Sequence, residues 1–119
     1  MGISYSDNVK MHDAITATAT SEAFDVSKRQ LVSIQFICNL YASGSGVFTI
    51  DASNDGVHWV TGISFLDAKA TAVGTQVVSK TITSTSSEIA IVNPSYKLLR
   101  VVATITGTDS YSVILQSKG

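Results

Sequence analysis

The residues best spaced for chemistry lie in the run Asp51-Ala52-Ser53-Asn54-Asp55-Gly56. Oxygen-bearing side chains at alternate positions, followed by glycine, open a calcium loop of the EF-hand kind. The twelfth position of such a loop falls on Gly62 where a bidentate Glu is required. Apolar alternation on both sides also predicts flanking strands, not helices. A hydrogen-bonded turn is therefore the preferred reading, and neither a metal nor another cofactor is expected. His12 and His58 form no spaced set with Cys or a carboxylate of the kind zinc needs. Cys38, the single cysteine, stands near Phe36 and Leu40, which predicts a buried thiol and not a reactive one. Gly44-Ser45-Gly46 is not a nucleophile elbow, which needs G-x-S-x-G between strand and helix. No catalytic set emerges, so the expectation is a chain that is not an enzyme.

Charge narrows the partners. The net charge of −1 provides no long-range field for nucleic acid or an anionic membrane. Lys28-Arg29, Lys97 and Arg100 are too scattered for a nucleic-acid surface, and Arg100 is expected to pair with Glu88. Charged residues make up 14% of the chain, against about 25% in a typical soluble domain. Seventeen Ser and thirteen Thr fill the polar positions instead, a surface that suits packing against other proteins and equally suits a neutral β-domain. The first residues contain no apolar h-region, and no apolar run reaches the roughly 18 residues of a membrane span. Synthesis and folding in a cytoplasm are expected.

Around the Asp51 run, Phe48, Ile50 and Ala52 alternate with polar residues as in a half-buried strand. Asn54, Asp55 and Gly56 then make the turn, with Gly56 in the left-handed conformation. Val57 and Trp59 are expected on one face of a returning strand, with Trp59 packed in the core, so that the hairpin organises the fold. Eleven Ile and thirteen Val against six Leu favour strands over helices. Further strands are expected over Ile15–Thr20, Leu31–Tyr41, Gln76–Thr83, Glu88–Val92, Tyr96–Ile105 and a closing run through Tyr111, Val113 and Leu115, with a loop over Asp67–Thr75. In the second of these, Ile34, Phe36, Cys38 and Leu40 share the inward face. The pattern predicts a single all-β domain over residues 15–119, an antiparallel β-sandwich of about eight strands, jelly-roll-like. Met1 to Ala14 has no clear period and reads as an N-terminal arm.

The segment FTIDASNDGVHW resembles the strand–turn–strand of discoidin-type β-sandwich domains, in which an SxDGxxW turn packs its Trp on the core. The ending YKLLRVVATITGTDSYSVILQSKG is similar to the closing strands of small tailed-bacteriophage structural proteins. The discoidin domains are longer and usually carry a Cys pair, which this chain lacks, so the weight moves to the phage proteins. That resemblance implies a virion structural protein, such as a capsid decoration, fibre-base or minor capsid protein, made in the host cytoplasm and acting through self-association and shell binding. A small carbohydrate- or surface-binding module is the alternative, to be favoured if exposed aromatics cluster on a sheet face or loop rim. Expected contact residues are Ile37, Val60 and Ile114, outward-facing among Ser and Thr, and Ile3, Tyr5, Val9 and Met11 of the arm. The expected partners are the chain itself, with a trimer as first expectation, and a capsid or other virion protein.

Overall fold

The computed structural model describes residues 6–69 and 74–119. Within them the chain forms β1 (Ser6–Ile15), β2 (Ala19–Thr20), β3 (Phe24–Asp25), β4 (Leu31–Leu40), β5 (Ser45–Ser53) and β6 (Phe65–Asp67). It continues through β7 (Gln76–Val77), β8 (Lys80–Ile82), β9 (Ser87–Val92), β10 (Leu98–Thr106) and β11 (Ser110–Lys118). One sheet has the order β1-β11-β4-β9-β6-β7 and the other β2-β10-β5-β8, with β3 also on β10. Four antiparallel ladders are nested along the chain: β5 with β8, β4 with β9, β2 with β10, and β1 with β11. This is one long hairpin rolled into two layers, the jelly-roll arrangement. The expected all-β sandwich is thus observed, and β3, β6 and β7 are short additions to the nested pairs.

Period-2 alternation does most of the building. Val32, Ile34, Phe36 and Cys38 of β4 are buried, as are Phe48, Ile50 and Ala52 of β5 and Leu99, Val101 and Ala103 of β10. Leu40, expected on the inward face, is exposed instead, because the β4–β11 register shifts between Ser110 and Tyr111. The aromatic centre of the core is a chain of rings. Phe36 stacks on Phe48 at 4.8 Å, Phe48 meets the Tyr111 ring edge-on at 5.5 Å, and Phe65 lies 6.3 Å from Phe36. Both sheets contribute, so these rings join the two layers.

The stretch read as an arm is corrected by β1. From Ser6 to Ile15 it pairs with β11 as the edge strand of the six-stranded sheet. Its period was hidden by register shifts between Lys10 and His12 and between His12 and Ile15. Bulges of this kind let two adjacent residues turn inward, and Met11 and His12 are both buried. Ala14 takes a φ of 49°, and its N–H donates to Ser112 Oγ at 2.9 Å. His12 Nε2 donates to the Val101 carbonyl at 3.0 Å, tying β1 to β10 of the opposite sheet. The expected strand over Ile15–Thr20 is broken into the end of β1 and the two residues of β2, and the expected Gln76–Thr83 strand divides between the two sheets. The loop expected over Asp67–Thr75 lies partly outside the described residues.

At one end of the sandwich a buried carboxylate holds two loops together. Asp109 Oδ1 accepts the N–H groups of Ala42, Ser43 and Gly44 at 2.6, 3.1 and 3.3 Å, and Oδ2 accepts the Tyr111 hydroxyl at 2.9 Å. Burial pushes the Asp109 carboxyl up, but the main-chain donors and Tyr111 outweigh it and hold it below the ordinary value. Burial and the Asp109 carboxylate together push the Tyr111 phenol well above its ordinary value. A carboxyl depressed by folding contributes stability that is full above the ordinary carboxylate range and fades as pH falls through its folded value. The wild-type melting temperature is therefore expected to decline below about pH 4. Asp109→Asn should lower it at neutral pH and flatten that acid limb, as read by thermal melts across pH. An unchanged acid limb would assign it to other carboxylates, such as Asp67, which Lys80 holds down.

Candidate interaction face

The outer face of the six-stranded sheet carries the largest run of outward apolar side chains. Direct cross-strand partners share a face, so the register places them. Gln116, Ser33, Ile91 and Leu66 make one row. Lys10, Ile114, Gln35 and Ile89 make the next, and Ser112, Ile37 and Ser87 a third. Ile89 and Ile91 are 42% and 44% exposed, and Leu31, beside Lys118, is 62% exposed. Their neighbours in β9, Ala90 and Val92, point into the core. An open groove of about 600 Å³ runs over this face, lined among others by Leu31, Ile91, Pro94, Tyr96 and Gln116.

The second candidate region is the loop from Asp51 to Gly62, on the other sheet. Asp51 is buried; its Oδ1 accepts the Gly62 N–H at 3.1 Å and its Oδ2 accepts Arg100 Nε at 3.1 Å. Asp55 Oδ1 accepts the N–H groups of Val57 and His58, and Oδ2 lies 2.7 Å from His58 Nδ1. The His58 contacts lead in holding Asp55 far below the ordinary carboxylate range. Ser53 Oγ accepts the Gly56 N–H at 2.9 Å, and Asn54 Oδ1 accepts the Lys97 N–H at 3.0 Å. The oxygens that a cation would need are thus aimed at donors within the protein. Among the described residues, no group of three or more His, Cys, Asp and Glu side chains converges on a metal position.

Several expectations about this loop are corrected. Gly56 does take a positive φ of 78°, but the returning strand is reduced to one bridge between Ala52 and Val60. Trp59 is not in the core. It lies half-buried on the outside, with the Arg100 guanidinium 4.1 Å from its ring centre. Arg100 therefore pairs with Asp51 and Trp59, not with Glu88, whose carboxylate lies 3.7 Å from Lys69. Asp51 stands directly opposite Arg100 in the β5–β10 ladder, a nonlocal register no local pattern reveals.

The expected contact residues do not form one patch. Ile37 and Ile114 lie diagonally adjacent on the outer face of the six-stranded sheet, both half-buried. Val60 is 65% exposed but belongs to the opposite layer's loop. Val9 pairs with the buried Leu115 and so faces inward, and Met11 is core. Ile3 and Tyr5 lie outside the described residues. Of the expected hairpin residues, Phe48 and Ile50 are core while Asn54, Asp55 and Gly56 are exposed. Leu31, Leu66, Ile89 and Ile91 were missed. In β9, Ile89 and Ile91 alternate with Ala90 and Val92, and a strand apolar on both faces does not show which residues face outward.

Nested ladders between two antiparallel layers define a jelly-roll β-sandwich, here with Ile37, Leu66, Ile89, Ile91 and Ile114 outward on one sheet. The same fold is found in the SPBc2 prophage-derived protein YomS, which is 14% identical and superimposes with a TM-score of 0.79 over 100% of this chain and 97% of that one. The PBSX exported protein XepA is 11% identical with a TM-score of 0.78, and this chain matches 39% of its length. No known protein family matches the chain, and no curated protein sequence does.

Proposed function

We propose that this chain is a non-enzymatic structural component of a bacteriophage or prophage particle, a decoration or minor capsid protein that acts by self-association and shell binding. The outer face of the six-stranded sheet carries this reading, because it groups the exposed Leu31, Ile89 and Ile91 with the half-buried Ile37, Ile114 and Leu66, and grouped outward apolar residues mark contact surfaces. The full-length likeness to a prophage-derived protein supports it. The virion is then its location, after synthesis in the host cytoplasm, with neither nucleic acid nor membrane as a partner. The test is sedimentation of the tagged chain with particles of the phage that encodes it. Retention through particle purification is expected, and a chain found only in the soluble fraction would remove the reading.

Trp59 favours a second reading. Outside the core and beside the exposed Val57 and His58, it offers a loop-rim aromatic of the kind sugars stack on. In that reading the chain is a small carbohydrate- or surface-binding module. Binding on a glycan array that is lost in Trp59→Ala would favour it over the particle role.

A further inference from the structure

We propose that the outer face of the six-stranded sheet is an isologous contact, which a second copy of this chain covers with the same face across a two-fold axis. The proposal rests on the self-association reading above and names its surface and symmetry. Area is the first argument. The sheet's strands hold ten, nine, ten, six, three and two residues. At a rise of ~3.4 Å and a spacing of ~4.8 Å they span roughly 650 Å². Standard interfaces use about 800 Å² per partner, so one face covers most of what a stable dimer needs. Twist does not prevent the contact, since two twisted sheets stack aligned at about −30° and ~10 Å apart, as inside a sandwich.

Charge is the second argument. Among the described residues of these strands, the charges on this face are the ion pair of Lys10 and Asp13, and Lys118. Both lie on the β1–β11 flank. A two-fold axis that runs along the strands at the centre of the sheet reverses the strand order and carries this flank over the partner's β6–β7 flank, so the lysines do not meet each other. The uncharged polar residues of this face, among them Asn8, Ser33, Gln35, Ser87 and Gln116, both donate and accept hydrogen bonds and so tolerate their own copies opposite. An isologous face closes at two copies, replacing the trimer expected from the sequence.

The experiment measures molar mass by light scattering from about 1 to 500 µM, with circular dichroism to confirm folding. The full chain is expected at twice its 12.5 kDa mass. Ile89→Glu/Ile91→Glu should run as a monomer with an unchanged spectrum, while Val60→Glu, on the other layer, remains a dimer. If the double variant fails to fold, Leu31→Glu, at 62% exposure, replaces it with the same expectation. A wild-type oligomer whose mass the variants leave unchanged would overturn the choice of face but keep self-association. A three-copy mass abolished by the variants would overturn the two-fold. A wild-type monomer at every concentration would overturn the self-association reading with the proposal. If that monomer still binds particles and the double variant does not, the face belongs to the shell and not to a second copy.

Discussion

A chain lacking Met1–Asp13 is expected to melt more than about 10 °C below the full chain, or not to fold at all. Removing a frayed arm would leave the melting temperature where it is. Here the cut takes away most of an edge strand paired to β11. It empties the Met11 site in the core, a loss of about 2–5 kcal/mol for a buried Met by analogy with truncation to Ala. It also removes the His12 hydrogen bond to Val101, worth about 1 kcal/mol. β11 would become the new edge, with its ladder groups open to water or to other chains. Thermal melts of the two chains decide the matter. Equal melting temperatures would show that β1 is dispensable, and the arm reading would return.

Phe48→Ala should cost about 3–5 kcal/mol, a fall of roughly 10–25 °C in melting temperature. Its ring is fully buried between Phe36 and Tyr111, so truncation opens a cavity where the two sheets meet. The neighbours are strand side chains tied into ladders on both sides, which limits how far the site can collapse. Trp59→Ala should cost only about 1 kcal/mol, because that ring stacks on Arg100 outside the core. The small expected loss at Trp59 follows from its place outside the core, which corrects the expectation that it anchors the hairpin there. A larger loss for Trp59→Ala than for Phe48→Ala would restore the hairpin as the organising element.

The legibility of the site was uneven for the same reason. Ile37 and Ile114 stood out as apolar residues among Ser, Gln and Asn on otherwise alternating strands, and the structure places them together on one sheet face. Ile89 and Ile91 did not stand out, since β9 is apolar on both faces and a continuous apolar run gives no direction. Val60 was legible as exposed and apolar, but its position on the other layer depends on the Ala52 bridge. Asp109 lies between the Tyr96–Ile105 strand and the closing run, where no local pattern singles it out. Its role depends on the loop after β4 coming within hydrogen-bonding distance, a contact 67 residues away along the chain.

The sequence by itself determined the all-β class and the inward faces of β5, β10 and β11, and that of β4 as far as Cys38. A strand in regular register turns each side chain opposite to the last, so period 2 is written locally. It also determined the left-handed turn at Gly56, because a Ser-Asn-Asp-Gly run needs no distant partner to favour that bend. The tertiary structure alone decided that residues 6–15 form a strand, since the two bulges that turn Met11 and His12 inward exist only against β11. It decided that the rings of Phe36, Phe48, Phe65 and Tyr111 make the core while Trp59 stays outside on Arg100. In a jelly roll the first strand pairs with the last, and such nonlocal registers determine which apolar residues meet and which are left facing outward.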